Sequence, residues 1–251
     1  KFVALCCFLL VSSLSFGQVW NYDFGSGTGT FTSSTASTSF LPTPTSGTAR
    51  VRVGTNPGSF TLANPGIALG TNSELQFTSN TGSTSTSKFS VYDYTASKVG
   101  YMKFKIAFNG GTNGVYLLSI GDGATFSDNN AMATAQTFSS IRWTFGASST
   151  ITYNVLNSSA FGTTGISNPT TLFTQSTSNE YIVEVYMNNN TTSTNYSRSG
   201  SNTLASATWD LWVNGTKVGS NLAKGGLASN VNIDSFSFNH QAIATAPGTL
   251  Y

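Results

Sequence analysis

The chain has 251 residues, of which only 8% are charged, 39% are hydrophobic and 13% aromatic, with 11 Lys and Arg against 9 Asp and Glu. A net charge of +2 with scattered bases gives no electrostatic footprint for nucleic acid or an anionic membrane, and a chain this rich in aromatics can form a core, which excludes disorder. With so few charges, solubility falls to Ser, Thr, Asn and Gly, a composition that reads as an extracellular all-β domain.

Lys1 is followed by the apolar run Phe2 to Val11 and by Ser12 to Gly17. This is the pattern of a signal peptide lacking its start, with cleavage expected before Gln18. The run is too short to span a bilayer and no later stretch is apolar enough, so no membrane insertion is expected. Cys6 and Cys7 lie inside it, each after a bulky residue where a lipid anchor wants a small one. The exported protein therefore carries no cysteine, which removes disulfides and thiolate chemistry and fits a secreted or cell-surface location. Residues 1–17 form the signal peptide, and 18–251 a single domain that the ending at Tyr251 suggests is cut short.

Val19 to Phe24 alternates as a strand with Trp20, Tyr22 and Phe24 on one face, and Gly25 to Thr48 reads as loop. Thr48 to Val53 alternates with Arg50 and Arg52 outward, and short strands are expected around Phe60 and from Leu75 to Phe77. Phe89 and Val91, then Met102 to Phe108, then Val115 to Ile120 follow, the last two joined as a hairpin by Asn109 to Gly114. Asp128 to Gln136 allows one or two helical turns. Ile141 to Phe145 and Ile151 to Val155 should pair across Gly146 to Ser149. Tyr181 to Met187 and Trp209 to Val213 alternate cleanly around an Asn, Thr and Ser-rich excursion, and Asn214-Gly215 is the pair that best suits a two-residue type I′ hairpin. Val231 to Phe238 is the last clear strand, with a change of face that implies a bulge. About a dozen short strands without a repeat predict an antiparallel two-sheet β-sandwich, or jelly roll.

From Tyr101–Phe108 with Val115–Gly123, through Ile141-Arg-Trp and Tyr181–Met187, to Trp209–Val218 and Asn232–Phe238, the order of strands resembles the concanavalin-like lectin/glucanase superfamily and its laminin-G-like branch. The resemblance spans Phe89 to Phe238 and is one of pattern. The signal peptide and the Ser, Thr and Asn-rich body resemble secreted proteins of Bacteroidota. The glucanases of that superfamily carry Glu-x-Asp-x-x-Glu on one strand, which this chain lacks. Glu180 and Glu184 share a strand face but stand roughly 13 Å apart at ~3.3 Å per residue, too far for the ~5–5.5 Å of a retaining pair. A second acid could come from Asp210 on a neighbouring strand.

His240 alone does not support a Ser/His/Asp arrangement and reads as a surface residue near the chain's end, and no catalytic residue is assigned. Asp122, Asp128 and Asn130 gather oxygen ligands of the kind calcium takes, without the spacing of a dedicated loop; turn-forming residues explain them equally. No other cofactor is indicated. The alternation places Arg142, Glu184, Tyr186, Asp210 and Trp212 on an outward face, where rings could stack on sugars and polar groups bind hydroxyls. The other possibility is that a loop or the second sheet covers Trp212 and Tyr186. The sequence thus points to a non-catalytic module that binds a polysaccharide or mediates adhesion, with a polysaccharide hydrolase or lyase as the alternative and a structural module of a larger surface protein as a third.

Overall fold

The computed structural model describes residues 21–54, 58–70, 72–79, 81, 86–242 and 245–251, so the expected signal peptide, both cysteines and Trp20 lie outside the described residues. In chain order the strands are β1 (Gly29–Phe31), β2 (Thr48–Arg52), β3 (Ser59–Ala63), β4 (Glu74–Thr78), β5 (Lys88–Tyr92), β6 (Val99–Asn109), β7 (Val115–Gly121), β8 (Thr137–Phe145) and β9 (Thr150–Asn157). There follow β10 (Ala160–Gly162), β11 (Phe173–Thr174), β12 (Ser176–Asn188), β13 (Thr194–Ser197), β14 (Ser201–Leu204), β15 (Thr208–Val213), β16 (Thr216–Ala223), β17 (Ser235–Ala242) and β18 (Thr249–Leu250). Among the described residues helix is confined to two 3₁₀ turns, Ala124–Phe126 and Thr134–Gln136, near the one or two turns expected there.

Two antiparallel sheets form a β-sandwich. The first runs β1-β3-β4-β18-β6-β12-β15-β16, the second β10-β9-β8-β7-β17-β5-β2 with β11 also on β9, and β13-β14 make a separate ribbon. Period-2 alternation sends Ile106, Phe108, Val183, Val185, Trp209 and Leu211 of the first sheet against Phe89, Tyr116, Leu118, Ile141, Trp143 and Phe236 of the second, all buried in one cluster. Phe108 bridges the layers, its ring 5.9 Å from both Trp143 and Phe145. Each such side chain contributes about 1.5–3 kcal/mol on burial.

Several expected pairings hold. β8 and β9 pair from Ile141↔Val155 to Phe145↔Ile151, and β12 pairs with β15 from Val183↔Val213 to Asn188↔Thr208. Asn214 and Gly215 take φ 47° and 76°, the left-handed geometry that turns β15 into β16. The Asn109 to Gly114 hairpin does not exist. β6 and β7 lie in different sheets, so this loop is an arch from one layer to the other. Asn21 to Phe24 is not a strand, although Tyr22 and Phe24 pack on the core. His240 is buried, not a surface residue: it follows Phe236 and Phe238 on the inward face of β17, its ring 6.0 Å from Tyr116. Burial holds its imidazole near pKa 4.

Candidate functional site

The outer face of the first sheet gathers most of the residues singled out from sequence. Cross-strand register sets Lys103 beside Glu184, Glu184 beside Trp212 and Trp212 beside Lys217. The next row holds Tyr101, Tyr186 and Asp210. Four of the five expected site residues therefore share a face, as the alternation predicts. Arg142 does not join them. It lies on β8 of the second sheet, half-buried, where it donates to Asn154 Oδ1 at 3.1 Å and sits 4.7 Å over the Phe161 ring. Burial lowers its pKa. Alternation puts a residue on one side of its own strand and says nothing about which sheet that strand joins.

The expectation that this face is open also fails. The β13–β14 ribbon folds back over it and encloses Tyr186, Trp212, Tyr196 and Leu204 in a second, small apolar cluster with Tyr101 at its edge. Tyr186 and Tyr196 stack with centroids 3.9 Å apart, and Trp212 Nε1 donates to Tyr196 Oη at 2.9 Å. Trp212 is 5% exposed, so its ring cannot be a sugar platform while the ribbon is seated.

The acids beneath are fully engaged. Asp210 accepts from Tyr196 Oη at 2.5 Å, Lys217 Nζ at 2.8 Å and the Asn221 amide at 2.6 Å. Glu184 accepts from Tyr101 Oη at 2.9 Å and from Arg198 Nε and Nη2 at 3.0 and 2.8 Å. Such charge-assisted bonds are the strong ones, and here they pin the ribbon to the sheet. The Glu184 hydrogen bond raises the Arg198 pKa. Burial, then the same carboxylate, raises that of Tyr101, which stays a phenol at neutral pH. Arg198 also lies 5.7 Å over Trp212, and Lys217 5.2 Å over the same ring. Glu184 and Asp210 are thus bridging anions under a cationic surface.

The oxygen-rich loop after β7 is likewise already occupied by the protein's own cations. Lys88, fully buried on β5, donates to the carbonyls of Thr125 and Asn130, each at 2.6 Å, and its ammonium lies 3.6 Å from Asp128 Oδ1. Arg50 on β2 donates to the Asp128 carbonyl at 2.8 Å and to the Asn129 side chain. Asp128 also accepts from the amide and Nδ2 of Asn130. Asp122 interacts with Asp234, whose pKa is raised chiefly by burial and further by Asp122 and Asp93. Among the described residues no three His, Cys, Asp or Glu side chains converge as a metal site.

No family model and no curated protein matches this sequence. Among solved structures, the chain is similar to alginate lyase Aly36B, at 13% identity and TM-score 0.39 over 70% of this chain and 79% of that one. Two double mutants of that enzyme also match. One, in complex with alginate trisaccharide, shows 14% identity and TM-score 0.42 over 70% and 78%; the other, with alginate tetrasaccharide, shows 16% and 0.40 over 70% and 77%.

A second concave feature lies at the opposite edge of β6: a cleft of about 450 Å³ between the sheets, lined by Phe60, Phe77, Phe89, Met102, Phe104 and Phe238 among others. Sequence reading missed both this cleft and the ribbon. The ribbon left a trace: Tyr196 and Leu204 are isolated large apolar residues in the excursion, and Arg198 is the sole charge between Glu184 and Asp210. No helix among the described residues is long and apolar enough to cross a membrane.

Proposed function

We propose that the chain is a secreted or cell-surface module that binds an acidic polysaccharide on the outer face of the first sheet, through Tyr101, Lys103, Arg198 and Lys217. One observation carries this reading: in two of the three ion pairs on that face, Arg198–Glu184 and Lys217–Asp210, the cation lies over a buried acid. The Arg198 and Lys217 side chains are 33% and 25% exposed, whereas Glu184 and Asp210 beneath them are 4% and 0% exposed. Lys103 is exposed and makes no ion pair among the described residues. The surface offered to a partner is therefore positive despite a chain close to neutral. Guanidinium and ammonium groups suit the carboxylates of a uronic-acid polymer. The likeness to alginate lyases, at its low TM-scores, plays no part in this reading.

Isothermal titration with a polyuronate and with a neutral glucan tests it. The polyuronate should bind, more weakly at high salt, and Lys103→Ala should reduce affinity about five- to tenfold, or roughly 1 kcal/mol. Equal binding of the neutral glucan, or indifference to both Lys103→Ala and salt, would overturn it.

Cleavage of the same polymer by elimination is the second reading, and Tyr101 is what favours it. Its phenol donates to Glu184 and stands next to Lys103 and Arg198, a cluster in which the cations could neutralise a uronate carboxylate. The base that removes the sugar proton is not among these four groups. Release of unsaturated oligosaccharides that Tyr101→Phe abolishes would replace binding by catalysis.

A further inference from the structure

Arg142, which stands apart from the first-sheet face, differs from the other cations on its own sheet. The strands of the second sheet carry Arg50 and Arg52 on β2, Lys88 on β5 and Arg142 on β8. Three of these take oxygen acceptors from chain that lies across them. Arg50 donates to the Asp128 carbonyl at 2.8 Å, Arg52 to the carbonyls of Ser34 and Thr86 at 3.0 and 2.7 Å, and Lys88 to those of Thr125 and Asn130, each at 2.6 Å. Arg142 has no such cover. Among the described residues its one hydrogen bond runs from Nη2 to Asn154 Oδ1 at 3.1 Å, and its Nε is buried without a partner. A guanidinium has five N–H donors, so the Nη1 pair and the second hydrogen of Nη2 are unused. No carboxylate neutralises the charge: all nine Asp and Glu of the chain are described residues, and none lies within 4 Å of it. Burial lowers its pKa with no acid to offset the effect.

The strands around Arg142 supply the rest of a site. Alternation on β8 and β9 sets Arg142 opposite Asn154 and Thr144 opposite Thr152, all four outward and half-buried. Phe161 of β10 lies with its ring 4.7 Å from the guanidinium carbon. Stacking of this kind holds the guanidinium plane and leaves its edge to acceptors. Asn154 accepts from that edge through Oδ1, which turns its own Nδ2 hydrogens to donation. We propose that this corner of the second sheet is a binding site for a hydroxy-carboxylate, either a free hydroxy acid or the acidic end of a sugar. The carboxylate takes the two oxygens it needs from Nη1 and Nη2 as a forked pair of charge-assisted bonds, and the Thr144 and Thr152 hydroxyls with Asn154 Nδ2 meet the ligand's hydroxyls. The site rests on β8, β9 and β10 alone and is independent of any ligand on the first sheet.

Titration of the full chain, followed by nuclear magnetic resonance of the Arg142 Nε–H and the Asn154 side-chain amide, tests this with lactate, glucuronate, glucose and acetate. Lactate or glucuronate should shift both resonances and bind about tenfold more tightly than acetate; the tighter of the two names the source. Glucose should shift neither. Arg142→Met, which keeps the stem over Phe161, should abolish the Asn154 shift. Arg142→Lys, which keeps the charge without the fork, should weaken binding about tenfold, and it carries the test should the methionine variant fail to fold. Changing Thr144 and Thr152 together to valine should remove the preference over acetate. Acetate binding as tightly as both hydroxy acids, glucose shifting the same resonances, or no shift with either hydroxy acid would overturn the proposal.

Discussion

The two outer faces of the sandwich are both roofed, but with opposite chemistry. On the first sheet the strands supply the acids Glu184 and Asp210, and the β13–β14 ribbon brings Arg198 and Tyr196 to them. On the second sheet the strands supply the cations Arg50 and Lys88, and the loop from Ala124 to Asn130 brings carbonyl oxygens and one carboxylate. The first roof is pinned by charge meeting charge, the second by buried cations meeting mainly neutral dipoles. In both, polar residues on the outward positions of strands serve as attachment points for covering chain.

The sharpest way to break the first pin is Asp210→Ala. It leaves Tyr196 Oη and the Asn221 amide without an acceptor in a buried place and takes its partner from Lys217, which is 25% exposed. Each buried donor left unsatisfied costs about 1–3 kcal/mol, so the melting temperature should fall by about 10 °C, and the ribbon's amides should lose exchange protection ahead of the core. A fall under about 2 °C would mean that the ribbon is held by its aromatic stacking alone.

The second pin should be weaker. Lys88→Met keeps the aliphatic stem and removes the donor to Thr125 and Asn130. The orphaned carbonyls cost about 1–3 kcal/mol, partly offset because the buried ammonium is no longer desolvated. A loss of about 2 kcal/mol is expected in chemical denaturation. A loss equal to that of Asp210→Ala would erase the difference between the two roofs.

The pH dependence separates them further. Burial, opposed by Asp128, lowers the Lys88 pKa to about 8 from 10.5. Below pH 8 the lysine is protonated whether the chain is folded or not, and its desolvation cost is constant. Between about 8 and 10.5 the unfolded chain binds more protons, so stability rises with pH. This group should add on the order of 2–3 kcal/mol across that window, a rise that Lys88→Met lacks. Parallel pH profiles of the two proteins in urea would show that the ammonium is not desolvated as its surroundings imply.

Much of the sandwich was legible in the sequence because period-2 alternation is local and strong: Tyr181–Met187, Trp209–Val213 and the Asn214-Gly215 turn declare themselves. What covers a face is not local. Alternation separated Asp210 and Trp212 from Trp209 and Leu211, yet both sides proved dry, since the β13–β14 ribbon comes back to roof one of them. The Asn109–Gly114 arch and the Asn214-Gly215 hairpin use the same turn residues, and only the pairing of distant strands tells them apart. Arg142 was placed with Glu184 for want of that long-range information. His240 was read as exposed because its neighbours toward the chain's end are small and polar, whereas the register of β17 puts it over Tyr116. The cleft was invisible for a related reason: its walls come from β3, β4, β5, β6 and β17, strands far apart in sequence, and no local pattern shows that they meet around a gap.

The smallest effect concerns metal at the second roof. Asp128 and Asn130 were candidate calcium ligands, and Asp128 with its neighbours does lie in an oxygen-rich loop. A cation that entered there would have to displace the Lys88 ammonium from the Thr125 and Asn130 carbonyls, both at 2.6 Å, and would meet the repulsion of Arg50 on the Asp128 carbonyl. Calcium binding with six to eight oxygen ligands would also need carboxylates, and among the described residues no three acids converge there. Adding millimolar calcium, or EDTA, to the wild-type protein should therefore move its melting temperature by less than about 1 °C, because a ligand stabilises only in proportion to its binding. The comparison of roofs makes one further demand. If calcium instead raised the midpoint of Lys88→Met while leaving the wild type unmoved, the lysine would be standing where the ion fits, and the second roof would be a metal loop closed by its own side chain. A clear shift in the wild type would mean that the ammonium does not fill the loop.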